Sequence, residues 1–273
     1  GQASARADLE QRRPVIAAQL SLGDLVQTVV DDLLRVHIET QLSVADAIIT
    51  HDAAQTAERL RLAAPASDEL ARRLAAAISA SVPTAAPPPT EGLDVELRIR
   101  LTRLLQEHTY LSGAAVDAAA DGRSSDLKAV LAAADQNASD AGAQLSAAYG
   151  QQVGDGLAER LRAETAALVA VGSGGDRAQA ASDLARIRGE LDSLLSTANQ
   201  LLPPGLVSQE LRASGQPLLT AADAFAARDF GTAFTRLRES ARQSRKVADS
   251  LALSLVDRYP GRYFVQATPT PHP

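Results

Sequence analysis

The chain contains no cysteine, which excludes disulfides, thiolate metal sites and cysteine nucleophiles. Aromatic residues make up only 3% of its 273 positions, so the interior must be filled by small and aliphatic side chains. Alanine dominates, β-branched runs are scarce, and both facts favour helix. No uncharged apolar run reaches the ~18 residues of a membrane-spanning helix, so no transmembrane segment is expected. Lysine occurs only at Lys128 and Lys246. Net charge is −6 and the pI near 5.3, which lacks the basic footprint of a nucleic-acid binder. Four histidines, one of them in the tail, argue against a Ser-His-Asp triad, and no Gly-x-Ser-x-Gly elbow is present. Gly172–Gly175 (GSGG) follows a helix and lacks a trailing Lys-Ser/Thr, so it is a turn and not a phosphate loop.

What is present is helical periodicity. From Leu22 the apolar positions Leu25, Val26, Val29, Val30, Leu33, Leu34, His37, Val44 and Ile48 recur at about 3.6 residues, predicting a long amphipathic helix. Asp52 with Gln55 forms a variant capping box that opens a return helix through Leu60, Leu70, Leu74 and Ile78, with Pro65 expected to bend it. The proline-rich stretch at 82–93 is a stiff connector. A third helix carries Leu97, Leu101, Leu104, Leu105, His108 and Leu111, and a turn at Asp121–Ser124 leads to a fourth ending at Tyr149-Gly150. A fifth carries Leu157, Leu161, Glu164, Leu168 and Val171, and Asp176 with Gln179 caps a sixth running to Asn199. The seventh is expected to break at Gly215-Gln216-Pro217, and the eighth runs from Asp229 to Arg258.

The helices repeat. A shift of 71 positions lays Leu33, Leu34 and His37 on Leu104, Leu105 and His108, and Asp46 on Asp117. Later pairs keep a weaker trace, with Leu161-x-x-Glu164 and Leu211-x-x-Ser214 at the same place. The expected fold class is all-α: four helix hairpins in two adjacent antiparallel four-helix bundles, with a solenoid of stacked hairpins as the alternative. The expected divisions are a polar N-terminal segment at 1–20, a first bundle at 21–150 (hairpins 22–81 and 94–150), a second at 151–259, and an extended Pro-rich tail at 260–273.

Residues 93–264 resemble an uncharacterised group of secreted or envelope-attached bacterial helical-repeat proteins. The matching residues are Leu104, Leu105, His108, Tyr110 and Leu111, then Tyr149-Gly150, Arg238-Glu239, Ala248-Asp249 and Tyr259-Pro260. The resemblance implies an all-helical fold and an extracytoplasmic location, secreted or lipid-anchored, and it implies no established activity. The small, polar opening GQASARADLEQRR has the character of a segment that follows a leader. Members of the group carry His where Glu164 and Ser214 stand, and His-Met where Gln243-Ser244 stand; those absences weaken a transition-metal reading.

Two sets of residues are candidates for a site. His37, His108 and Glu164 sit at equivalent places on apolar stripes and offer two imidazoles and a carboxylate to a divalent metal. None has a second ligand three or four residues away, so the favoured role is a hydrogen-bonded structural one. Arg238, Arg242, Arg245 and Lys246 form a basic ridge for an anion or an acidic partner, weighed against a solvated face answered by nearby carboxylates. Phe225, Phe230 and Phe234 are expected to receive Tyr263 and Phe264 of the tail, and the sequon Asn137-Ala138-Ser139 lies inside a helix and is read as accidental. The expected function is non-catalytic binding or scaffolding at the cell envelope, without cofactor, toward an unknown protein or envelope component. The alternative is a metal- or small-ligand-binding bundle.

Overall fold

The computed structural model describes residues 2–21, 27–50, 52–81 and 93–263. These form helices and turns with no strand among the described residues, so the chain is an all-α helical bundle protein. The helices are α1 (Gln2–Leu20), α2 (Gln27–Ile49), α3 (Ala53–Ser81), α4 (Leu93–Ala120), α5 (Ser124–Tyr149), α6 (Gln151–Gly172), α7 (Arg177–Ala198), α8 (Leu206–Ala226), α9 (Phe230–Arg258) and a single turn, α10 (Pro260–Tyr263). The expected helix start at Leu22, the stop at His51, the connector at 82–92 and the tail beyond Tyr263 lie outside the described residues.

The chain divides into two compact units, residues 1–91 and 92–273. In the first, α1 packs on α2, which packs on α3. Ala17, Val30 and Leu34 are buried together, with Ile16, Leu20 and Leu70 against them. The polar N-terminal segment is therefore a helix that completes a three-helix core. Its apolar positions are few, but Arg13 pairs with Asp31 and Arg6 lies 3.2 Å from Asp46, so charge pairs supplement its thin stripe. Asp52 caps α3 as expected, accepting from the Gln55 backbone amide and side-chain amide, each at 2.9 Å. Pro65 stands inside a continuous α3.

The second unit groups its helices differently from the expected four plus four. Helix α4 touches α5, α6, α8 and α9, and α6 touches α8. Around them α5 bridges α4 and α6, α7 bridges α6 and α8, and α9 bridges α8 and α4. Short turns reverse the chain each time, so α4, α6 and α8 run one way and α5, α7 and α9 the other. The result is a closed ring of six helices with an inner triangle of alternate ones. The division expected at residue 150 fails there because a single residue, Gly150 at φ +90°, joins α5 directly to α6. The hairpin of α4 and α5 thus belongs with α6–α9.

Helix ends follow the predicted turn chemistry. Asp176 accepts from the amides of Ala178 and Gln179, and Asp229 from Thr232. The expected break at Gly215–Pro217 does not occur: α8 is continuous, with Leu218 and Leu219 buried immediately after Pro217. Tyr149 and Asn199 tie the lower end, where Asn199, fully buried, donates to the Tyr149 hydroxyl at 2.8 Å and to the Ser254 carbonyl at 3.1 Å. The aromatic expectation is half right. Phe225 packs edge-on against Phe230 and Phe234 at 6.4 and 5.7 Å, but α10 follows the opposite end of the 29-residue α9 and meets α4. At ~1.5 Å per residue the two ends of α9 are far apart, so the turn α10 stands away from the cluster. Phe264 lies outside the described residues.

With few large side chains, the ring closes on small ones. A Cβ placed on Gly142 of α5 would stand 2.5 Å from the carbonyl oxygen of Gly154 on α6, a contact with backbone that cannot swing aside. Replacing a helical glycine by alanine adds about 1 kcal/mol of helix propensity. Overpacking a tight core costs about 1–3 kcal/mol, and the rigid partner here puts Gly142→Ala on the losing side. Urea unfolding of Gly142→Ala should therefore show a lowered midpoint; a raised one would show that the helices have room to part.

Candidate functional site: a closed polar centre

Three of the four equivalent polar positions meet. His108 of α4, Glu164 of α6 and Ser214 of α8, one from each helix of the inner triangle, line the same interior cavity. The repeat register thus becomes a spatial cluster, because alternate helices in a closed ring present the same face inward. Glu164 Oε2 lies 3.4 Å from His108 Nε2, and its Oε1 lies 3.4 Å from Arg188 Nη2 on α7. Both contacts are long for hydrogen bonds, and the one with Arg188 joins opposite charges. The side chains of His108, Arg188 and Glu164 are 5%, 9% and 14% exposed.

Each member has an identifiable reason to be there. His108 follows Leu104 by one turn on the buried face of α4. Arg188 stands among Leu184, Leu191 and Leu195, all buried, in the stripe of α7. Its guanidinium crosses α8 at Gly215, where an added Cβ would come within 1.8 Å of Nη2. Gly215 therefore leaves the space that Arg188 occupies. Hydroxyl pairs surround the centre: Thr109 with Ser244 at 3.2 Å and Ser112 with Thr165 at 2.9 Å, all buried.

Burial pushes the Glu164 carboxyl upward, but the contacts with His108 and then Arg188 outweigh it, and its pKa falls below the ordinary 4.5. Glu164 is accordingly a carboxylate at neutral pH. The cavity it lines measures about 20 Å³, enough for one water and no organic substrate. His108 Nδ1 and the Ser240 hydroxyl have no protein partner, and both residues line that space.

The metal candidates are divided. His108 and Glu164 come together, whereas His37 lies in the first unit with its Nδ1 3.0 Å from the Ser67 hydroxyl. Burial lowers the His37 pKa below 6.5, as suits a neutral ring sharing a hydrogen bond across a helix pair. Among the described residues no three His, Asp or Glu side chains are placed to hold a metal ion. At the centre itself the cation facing Glu164 is Arg188, which the sequence reading did not single out. A charged residue spaced 4 and 3 from Leu184 and Leu191 was the available signal. Asn137 was similarly placed between Ala134 and Ala141; it is fully buried and donates to the Leu104 carbonyl at 3.1 Å, so its sequon is inaccessible.

The basic ridge lies on the exposed side of α9. Arg245 is 3.8 Å from Asp249, and Lys246 faces Glu210 electrostatically, so these two are answered by carboxylates. Arg238 and Arg242 are not, among the described residues. No protein-family model, curated protein or solved structure matches this chain. No helix among the described residues is long and apolar enough to cross a membrane.

A depressed carboxylate pKa stabilises the fold above the unfolded-state value and loses that contribution as pH falls through the folded one. Stability of the second unit should therefore decline below about pH 4.5, and Glu164→Gln should flatten that decline while lowering stability at pH 7. An unchanged acid limb in Glu164→Gln, read by urea unfolding between pH 3 and 7, would exclude the carboxylate as its source.

Proposed function

We propose that this chain is a non-catalytic helical-bundle protein that acts by binding or scaffolding at the cell envelope, as a secreted or lipid-anchored component. The small volume at the polar centre carries the non-catalytic part of this reading. His108 and Glu164, the chain's best acid-base pair, are committed to each other and to Arg188 around a space of about 20 Å³. General acid-base work requires a substrate atom within hydrogen-bond reach of the acting group, and a one-water cavity admits none. Long helices with polar, charged and small residues on their outer faces then leave the exterior as the working surface. The likeness of residues 93–264 to envelope-attached helical proteins, through Leu104, Leu105, His108, Tyr110, Tyr149 and Gly150, supports the location.

The metal-binding alternative draws no support from the centre, because a guanidinium stands against the carboxylate a cation would use. Formaldehyde cross-linking of intact producing cells, followed by fractionation, tests the proposal. The protein should appear in the envelope or medium within species heavier than it forms without cross-linker. Recovery solely from the cytosol, free of cross-linked partners, would contradict it.

A further inference from the structure

The ridge on α9 is two surfaces, and the uncompensated half faces a groove. Arg238 and Arg242, one turn apart, make only local contacts: Arg238 Nη2 with the Thr235 hydroxyl and Arg242 Nε with the Arg238 carbonyl, both at 3.3 Å. They line a solvent-open groove of about 310 Å³ between α9 and α4, together with Tyr110 and Gln106. Two arginines without a carboxylate stand out in a chain of net charge −6. Tyr110 is 37% exposed although it lies one residue from buried Thr109 and Leu111. Burial raises its phenol pKa against the opposing pull of Arg238 and Arg242, so the hydroxyl stays protonated and can donate to a bound anion. Gln106 is fixed as groove wall by donating to the Ala241 carbonyl at 3.2 Å.

The donor set is two guanidinium forks and a phenol, with no acidic side chain lining the groove. A carboxylate offers two oxygens. A phosphomonoester offers three terminal oxygens and two charges, which match three separate donors, and guanidinium forks bind such groups bidentately. We propose that Arg238, Arg242 and Tyr110 form a binding site for a phosphomonoester group, carried by a soluble ester or by a lipid headgroup. This deepens the reading of the chain as a binding protein and rests on it. The open side of the groove lets the esterified part project into solvent or toward a membrane surface.

Calorimetric titration with glycerol 3-phosphate, and co-sedimentation with vesicles of phosphatidylcholine alone or containing phosphatidic acid, separate the two sources. Binding of either phosphomonoester is expected, and Arg238→Gln with Arg242→Gln should weaken it about tenfold or more. Arg245→Gln with Lys246→Gln, which alters the answered half of the ridge, should change it less than about threefold, and Tyr110→Phe should fall between. Thermal unfolding of each variant checks that the fold persists, and the single arginine variants give the same reading if the double one unfolds. Binding of neither form by the wild-type chain would overturn the site, as would equal losses in both double variants, the mark of diffuse charge. Failure here with envelope cross-links retained removes the phosphate site alone; loss of those cross-links removes the binding reading beneath it.

Discussion

A carboxylate held between an imidazole and a guanidinium inside a ring of helices is the constraint around which the second unit is arranged. Glu164 on α6 reaches His108 on α4 and Arg188 on α7, at 3.4 Å each. Taking such groups out of water costs several kcal/mol per charge, so they are tolerable only when they meet. Meeting fixes the rotation of three helices about their axes. Sliding α6 by one residue would turn Glu164 away by about 100° and strand Arg188 against apolar neighbours. Leucine and alanine stripes alone leave that register weakly determined, because one Leu-Ala face packs much like another.

Packing by small residues is the second half of the same arrangement. Arg188 reaches Glu164 because Gly215 has no Cβ in its path, and α5 meets α6 closely because Gly142 and Gly154 face each other's carbonyls. Close backbones leave little interior volume, and the space at the polar centre shrinks to about 20 Å³. That volume leaves room beside His108 and Glu164 for about one water. Arg238, Arg242 and Tyr110 stand outside, where α9 and α4 leave a groove.

Local features were legible in the sequence because their causes are local. The 3.6-residue stripes gave the helices, Asp52, Asp176 and Asp229 marked real caps, and the Leu-x-x-polar register marked four positions, three of which meet in the second unit. Features with long-range causes were not. The helix at Gln2–Leu20 has a dilute stripe and is held by its partners, including Arg13 with Asp31. The six-helix ring depends on how broad a face α4 can bury, which a single stripe does not reveal. Pro217 reads as a breaker, yet one missing donor is outweighed by the burial of Leu218 and Leu219. Arg188 was hidden for another reason: its role appears only once Glu164 and Gly215 come beside it from helices 24 and 27 positions away in the chain.

Glu164 and Arg188 should be energetically coupled within the folded unit. A double-mutant cycle of Glu164→Gln and Arg188→Met, read by urea unfolding at pH 7, measures that coupling directly. The double variant should be more stable than the sum of the single losses implies, by about 1–3 kcal/mol, since each single change leaves a buried charge without its partner. Additivity within about 0.5 kcal/mol would contradict it and would make the centre an incidental meeting of independent side chains.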